Sequence, residues 1–178
     1  MKTFIVYEIT AFQILDERGQ LGIFKIISAL QYLSIPIIYL FKFTFIGFLI
    51  WVGCFGFGYR VTYTNCWHIA MVSELIFVIP ELLKIFWFMF FETDPDYGMV
   101  KAFYPLSLMN LFEFQHISPK WHYPLKSLNI FEVLYWFMLT AGIYIKSGKL
   151  YKQSLIISTF GYVIPFLFWL FYYTIVYK

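Results

Sequence analysis

Glu74, Glu81 and Lys84 stand inside an apolar run from Trp67 to Phe91. Ionisable groups at membrane depth cost about 2.5–3.5 kcal/mol each on insertion scales, so each needs a partner or a function. If this run is one α-helix, Glu81 lies about 20° around the axis from Glu74, and Lys84 about 60° further, so the three share one stripe. Glu81 and Lys84 then pair at i, i+3, Pro80 frees a backbone carbonyl beside them, and Glu74 has no partner in its own helix. Three kinds of chemistry fit: an internal ion pair that holds helices together, a contact in which another subunit brings a cation to Glu74, or a proton or ion relay. A relay needs ionisable groups on several spans, and the other apolar runs have almost none. Gln31 and Ser73 are the polar residues that could line the same interior.

Other groupings fall short of a reaction centre. Among His68, His116 and His122, the sequence Glu113-x-x-His116 is half of a di-iron carboxylate pattern, which requires a second Glu-x-x-His and two further glutamates on facing helices. Cys66-Trp-His68 is too sparse for zinc, and Cys54 and Cys66 are too few for a disulfide framework. Gly53-Cys-Phe-Gly56-Phe-Gly58 lacks the preceding strand and following lysine of a phosphate loop. Its glycines read instead as close helix packing and a loose turn, with Cys54 and Gly58 forming a small-xxx-small face. Asp94-Pro-Asp96 is first a turn signal. No catalytic residue, cofactor or metal site is expected.

The elements that must position these residues follow from composition. Of 178 residues, 61% are apolar, 25% aromatic and 13% charged, whereas soluble domains carry about 25% charged residues. The chain reads as an integral membrane protein, multi-pass, in the cell inner membrane if bacterial. A net charge of +3 provides no basic surface for nucleic acid, and the hydrophobicity excludes disorder. The expected fold is all-α: a polytopic transmembrane helical bundle of about five spans in a single domain, each span needing about 20 apolar residues. The spans fall at 23–41, 43–58, 67–91, 130–145 and 154–176, with a long interfacial loop over 92–129. Only Lys42 separates the first two, and one helix kinked at Pro36 is the alternative. That helix would be about 54 Å long against a hydrocarbon core of about 30 Å.

Residues 3–17, interrupted by Glu8 and closed by Asp16-Glu17-Arg18 near Gly19, read as an interfacial amphipathic helix rather than a cleaved signal peptide. On five spans, Lys2, Arg18, Lys25, Arg60, Lys146, Lys149 and Lys152 share the N-terminal side. Lys42, Lys101, Lys120, Lys126 and Lys178 share the other. The excess places the N-terminus and the Lys146-to-Lys152 loop in the cytoplasm, and 92–129 outside.

The long loop contains an internal duplication. Tyr104-Pro-Leu-Ser-Leu-Met-Asn-Leu-Phe-Glu113 recurs as Tyr123-Pro-Leu-Lys-Ser-Leu-Asn-Ile-Phe-Glu132, matching at Tyr, Pro, Leu, Asn, Phe and Glu. Each copy reads as an extended Tyr-Pro-Leu approach to a helix capped by Asn, with Glu at N3. The copy at Asn129 launches the fourth span, and the copy at Asn110 a short helix ended by Pro119. Tyr104, Trp121, His122 and Tyr123 suit the headgroup level, as anchors or as a docking surface for a partner.

Phe57-Gly58-Tyr-Arg60 and Asn129-Ile-Phe-Glu132 carry a family resemblance. From about residue 23 to 176 the chain resembles the Yip-domain family of small five-span membrane proteins. There, a glycine-rich turn after the second span leads into a proline-bearing third span, here Thr62 to Phe91 with Pro80. The fourth span opens with an Asn-x-Phe-Glu-like sequence, and a small glycine-bearing loop follows, here Gly142 to Lys149. The resemblance implies a non-enzymatic helical protein that binds other membrane proteins. Eukaryotic members are linked to vesicle traffic through Rab-type GTPases, while prokaryotic members mostly lack an assigned function. No catalytic residues carry over, and the Tyr-Pro-Leu loop and the charged stripe depart from the family.

The expected function is a non-catalytic subunit or scaffold of a larger membrane complex, in protein transport, secretion or membrane insertion. Its partners would be membrane lipids and other integral membrane subunits. The alternative is a small transporter or channel component using Glu74, Glu81 and Lys84. A third reading is an intramembrane enzyme acting on lipid through His116, His122, Asp94 and Asp96.

Overall fold

Continuously apolar runs fold as helices because a backbone in lipid must satisfy its own N–H and C=O groups within the segment. The computed structural model describes residues 21–91, 100, 103–112, 116–148 and 150–177, with side chains from residue 30 onward. The expected interfacial helix of residues 3–17 lies outside them, as do Asp94, Asp96 and Glu113. Every element among the described residues is helical, apart from an isolated antiparallel bridge between Ser107 and Asn129.

Helix α1, Leu21–Gly56, runs unbroken for 36 residues, about 54 Å. It passes straight through Lys42, where a boundary between two spans was expected, and holds Pro36 in its interior. A single lysine is a good helix former and breaks nothing. What ends α1 is Gly58 at φ +71°, with the Tyr59 N–H donating back to the Cys54 carbonyl at 2.8 Å. Thr62 then caps α2, Tyr63–Ser73, by accepting from the Asn65 N–H.

The run after α2 is not one regular helix. A 3₁₀ turn, Glu74–Phe77, separates α2 from α3, Val78–Phe90. Pro80 supplies a reason: it has no N–H to give the Ile76 carbonyl four residues back, and its ring crowds that carbonyl. Further on come a 3₁₀ turn, Leu108–Leu111, and a short helix α4, Pro119–Ser127. Helix α5, Ile130–Ser147, is capped by Asn129 and ends on Gly148 at φ +62°. Helix α6, Tyr151–Ser158, continues through a π-helical segment, Thr159–Val163, into α7, Ile164–Val176. Pro165 stands four residues after Gly161, so the wider π turn relieves the same kind of conflict.

Among the described residues, three helices are long and apolar enough to cross a membrane: Leu30–Gly56, Ile130–Ser147 and Tyr151–Val176. The core joins Ile46, Ile50 and Cys54 of α1 to Cys66, Ile69 and Ala70 of α2, with Tyr135, Leu139 and Ile143 of α5, Ile157 and Tyr162. Small residues allow the close approaches. A Cβ on Gly47 would stand 3.1 Å from the Trp67 Cα, and one on Gly142 2.6 Å from the Ile69 Cγ2. Gly53 meets Ile157 in the same way, whereas Gly58 has nothing within 4 Å. The expected Cys54–Gly58 face is therefore replaced by Gly47, Gly53 and Gly142. Away from the core, residues 30–41 of α1 and most of α3 expose large apolar side chains, including Tyr32, Ile37, Phe41, Leu82, Phe86 and Phe90.

Candidate functional site

Lys42 sits where α1 enters the bundle, and its charge organises the interior. Its Nζ lies 2.5 Å from Glu74 Oε1, 5.1 Å from the centre of the Phe77 ring and 5.7 Å from that of Tyr135. Both rings are within the roughly 6 Å over which a cation is attracted to an aromatic face. Glu74 thus has a partner on a neighbouring helix of the same chain, as the internal-pair reading expected, and not a cation brought by another subunit. Only one carboxylate oxygen is used. Glu74 Oε2 and the Tyr135 hydroxyl are buried with no hydrogen-bond partner among the described residues.

The run that carries Glu74, Glu81 and Lys84 is not one regular helix, because the 3₁₀ turn Glu74–Phe77 interrupts it. A 3₁₀ turn advances about 20° more per residue than an α-helix, so four such residues shift the phase by about 80°, which leaves Glu81 about 60° from Glu74 and Lys84 close to its line; burial is what separates the three. Glu74 faces inward, Glu81 is exposed on α3, and Lys84 is half-buried. Among the described residues no Glu81–Lys84 ion pair is closed. Gln31 is exposed as well, about 16 Å up α1 from Lys42, and does not line the interior. Ser73 does lie inside, buried at the end of α2.

Glu132 is the residue that sequence reasoning missed. Its N–H donates to Asn129 Oδ1 at 2.9 Å, the expected cap. Its carboxylate, however, turns inward and accepts from the Tyr162 hydroxyl. The Tyr162 ring packs edge-on against Tyr135 with centroids 4.8 Å apart, and Tyr135 meets Phe77 at 5.2 Å. Lys42 is also within electrostatic reach of Glu132. Lys42, Glu74, Glu132, Tyr135 and Tyr162 therefore form one polar cluster drawn from α1, the 3₁₀ turn, α5 and the π segment.

Above the cluster lies the duplicated segment, and its copies are not alike. Tyr123 and Pro124 are helical, inside α4, rather than extended. Asn110 does not start a helix: it lies within the 3₁₀ turn and donates to the Tyr104 carbonyl at 2.8 Å. The two copies instead pair with each other. The Leu108 N–H donates to the Leu128 carbonyl at 3.0 Å, and the Ile130 N–H to that of Leu106 at 3.3 Å. Such pairing satisfies backbone groups that no helix serves.

The four expected interfacial residues surround this pairing. Lys126 Nζ stands 5.5 Å from the Tyr104 ring centre. Burial, then the nearby Glu81 and Glu132 carboxylates, push the Tyr104 hydroxyl up to about 12. His122 Nε2 is 3.0 Å from the Ile117 carbonyl. Tyr123 accepts from Trp169 Nε1 at 3.3 Å and packs on Tyr173, which ties α4 to α7. Trp121 is exposed.

Between α5 and α7, beneath Leu106, Leu108 and Leu128, a groove of about 350 Å³ has Glu132 and Tyr162 among its lining residues. Trp136 forms part of its wall and is fixed by donating to Ser158 Oγ at 3.0 Å. Chemically, the arrangement can hold a cation or a hydrogen-bond donor beside an apolar chain. Among the described residues no group of three His, Cys, Asp or Glu gathers to hold a metal. Comparison with protein families, curated proteins and solved structures finds no match.

Proposed function

We propose that this chain is a multi-pass, non-catalytic membrane protein acting as a subunit or scaffold of a larger membrane complex, in protein transport, secretion or membrane insertion. The observation that carries the reading is the exposed apolar surface of residues 30–41 and of α3. Among the described residues these two stretches have little of their own bundle to pack against. Lipid covers part of such a surface, and helices of another subunit gain by packing on the rest. A Yip-like binding role would use the same surface.

The proposed topology has four crossings rather than five: α1, the broken run from α2 through α3, α5, and α6 through α7. With α1 crossing once, the N-terminus and the 103–127 segment lie on one side, and the Lys146-to-Lys152 turn on the other. Lys2, Arg18, Lys25, Lys101, Lys120 and Lys126 then outnumber Arg60, Lys146, Lys149 and Lys152, which makes the N-terminal side cytoplasmic.

The test is a mild-detergent pull-down of the full chain at native expression, with a photo-crosslinking residue at Leu82 and, as control, at buried Leu139. A stoichiometric integral membrane partner captured from Leu82 alone is the expected result. A chain that runs alone removes the subunit reading.

A second reading, a transporter component, is favoured by the cluster itself, since Lys42, Glu74 and Glu132 bring ionisable groups from three elements together. On that reading Glu74→Gln abolishes flux in reconstituted vesicles without loss of folding. Unchanged flux would sink it.

A further inference from the structure

The groove between α5 and α7 joins two features that are usually apart. Its walls are apolar, with Val133, Trp136, Phe166 and Leu167, yet Glu132 and its partner Tyr162 are among the residues that line it. At about 350 Å³ it is at the small end of ligand sites, which run to about 1,000 Å³, so it suits a single hydrocarbon chain rather than a whole lipid. Glu132 lies in the first turn of α5, close to the segment whose Tyr104, Trp121 and His122 suit the headgroup level. A chain lying in the groove would therefore bring its polar end to Glu132.

Charge identifies that polar end. Lys42 is engaged by Glu74, and among the described residues no cation lies within ion-pair distance of Glu132. The cluster holds two carboxylates and one ammonium. A carboxylate has about four acceptor sites; Tyr162 takes one, and Glu132 is only half-buried. A primary ammonium with three N–H donors matches the remainder. A choline head has the charge without the donors, and a glycerol head lacks the charge.

We propose that the groove binds a phospholipid with a primary-ammonium headgroup, one acyl chain lying against Trp136 and Leu167 and the ammonium donating to Glu132. The inference rests on the membrane reading above and is independent of the subunit reading.

The test uses the full chain reconstituted in vesicles containing phosphatidylethanolamine, phosphatidylcholine or phosphatidylglycerol with brominated acyl chains. Flotation is scored first, then quenching of tryptophan fluorescence, with Trp136→Phe subtracted to isolate the groove. The Trp136 signal should be quenched at a mole fraction of phosphatidylethanolamine about tenfold lower than that of phosphatidylglycerol, the size of one hydrogen bond to a charged group. Phosphatidylcholine should fall between them. Glu132→Gln, which keeps an acceptor for Tyr162, should erase the preference. Val133→Phe, which fills the groove and leaves the carboxylate, should reduce Trp136 quenching by every lipid. Equal quenching by all three lipids, or a preference that survives Glu132→Gln, overturns the proposal. Failure to float overturns the membrane reading with it, whereas flotation without preference overturns this inference alone.

Discussion

Lys42 and Glu74 meet from helices 32 positions apart in the chain, with side-chain exposures of 36% and 11%. That places the pair between exposed bridges, worth about 0–1 kcal/mol, and buried ones, whose breakage costs about 3–5 kcal/mol. Lys42→Met should therefore destabilise the protein by about 2 kcal/mol, because it leaves Glu74 with both oxygens unpaired. The double variant Lys42→Met with Glu74→Leu should be more stable than the single one. Unfolding in detergent, followed by tryptophan fluorescence across the four-variant cycle, checks this; strictly additive effects would show that the charges do not interact. The sequence makes it plain that Glu74 needs a partner, but not that Lys42 is the one. A lysine between two apolar stretches looks the same whether it marks a boundary or sits mid-helix. Glu132 divides the same way: its cap on Asn129 is local and legible, while its bond to Tyr162 joins segments 30 residues apart.

Two irregular turns give the cluster its shape at the level of elements. Glu74 stands in a 3₁₀ turn ahead of Pro80, and Tyr162 in a π segment ahead of Pro165. Irregular turns inside helices are frequent at functional sites. The prolines can be read from the sequence; the tightening at one and widening at the other depend on neighbouring packing. The start of α5 was legible for the opposite reason, since Asn129 acts within a turn of itself, whereas the helix runs on through Gly142, where a loop was expected, to Ser147. Glycines divide by what lies opposite them. Gly47 faces the backbone of Trp67, which cannot give way, whereas Gly56 has nothing within 4 Å. Gly47→Ala should cost about 1–3 kcal/mol by forcing α1 and α2 apart. Gly56→Ala should be neutral or stabilising by up to about 1 kcal/mol through helix propensity. Thermal unfolding of the two variants side by side decides the matter, and equal effects would mean that α1 and α2 do not approach at Gly47.

For the molecule as a whole, the decisive feature is that α1 does not turn at Lys42. The Tyr59 hydroxyl donates to Gln153 Oε1 at 2.5 Å, so the α1–α2 turn and the start of α6 occupy the same end of the bundle. The start of α1 and the paired segments at Ser107 and Asn129 then belong to the other end. Division at Lys42 would send the N-terminus to the Tyr59 end; a continuous α1 keeps it with residues 103–127. A helix of about 54 Å exceeds a hydrocarbon core of about 30 Å, and on the proposed four-crossing topology tilt together with extension beyond the headgroups is what accommodates the excess. The helical class and the apolar surface follow from composition, whereas the crossing number turns on one residue whose meaning is set by a partner on another helix. Topology mapping separates the alternatives. A reporter fused at the N-terminus and a cysteine placed at Lys120 should react from the same side of sealed vesicles, and cysteines at Arg60 and Ser147 from the opposite side. An N-terminal reporter that instead follows Arg60 would mean that the chain turns back within α1 when in the bilayer, and would restore the boundary at Lys42.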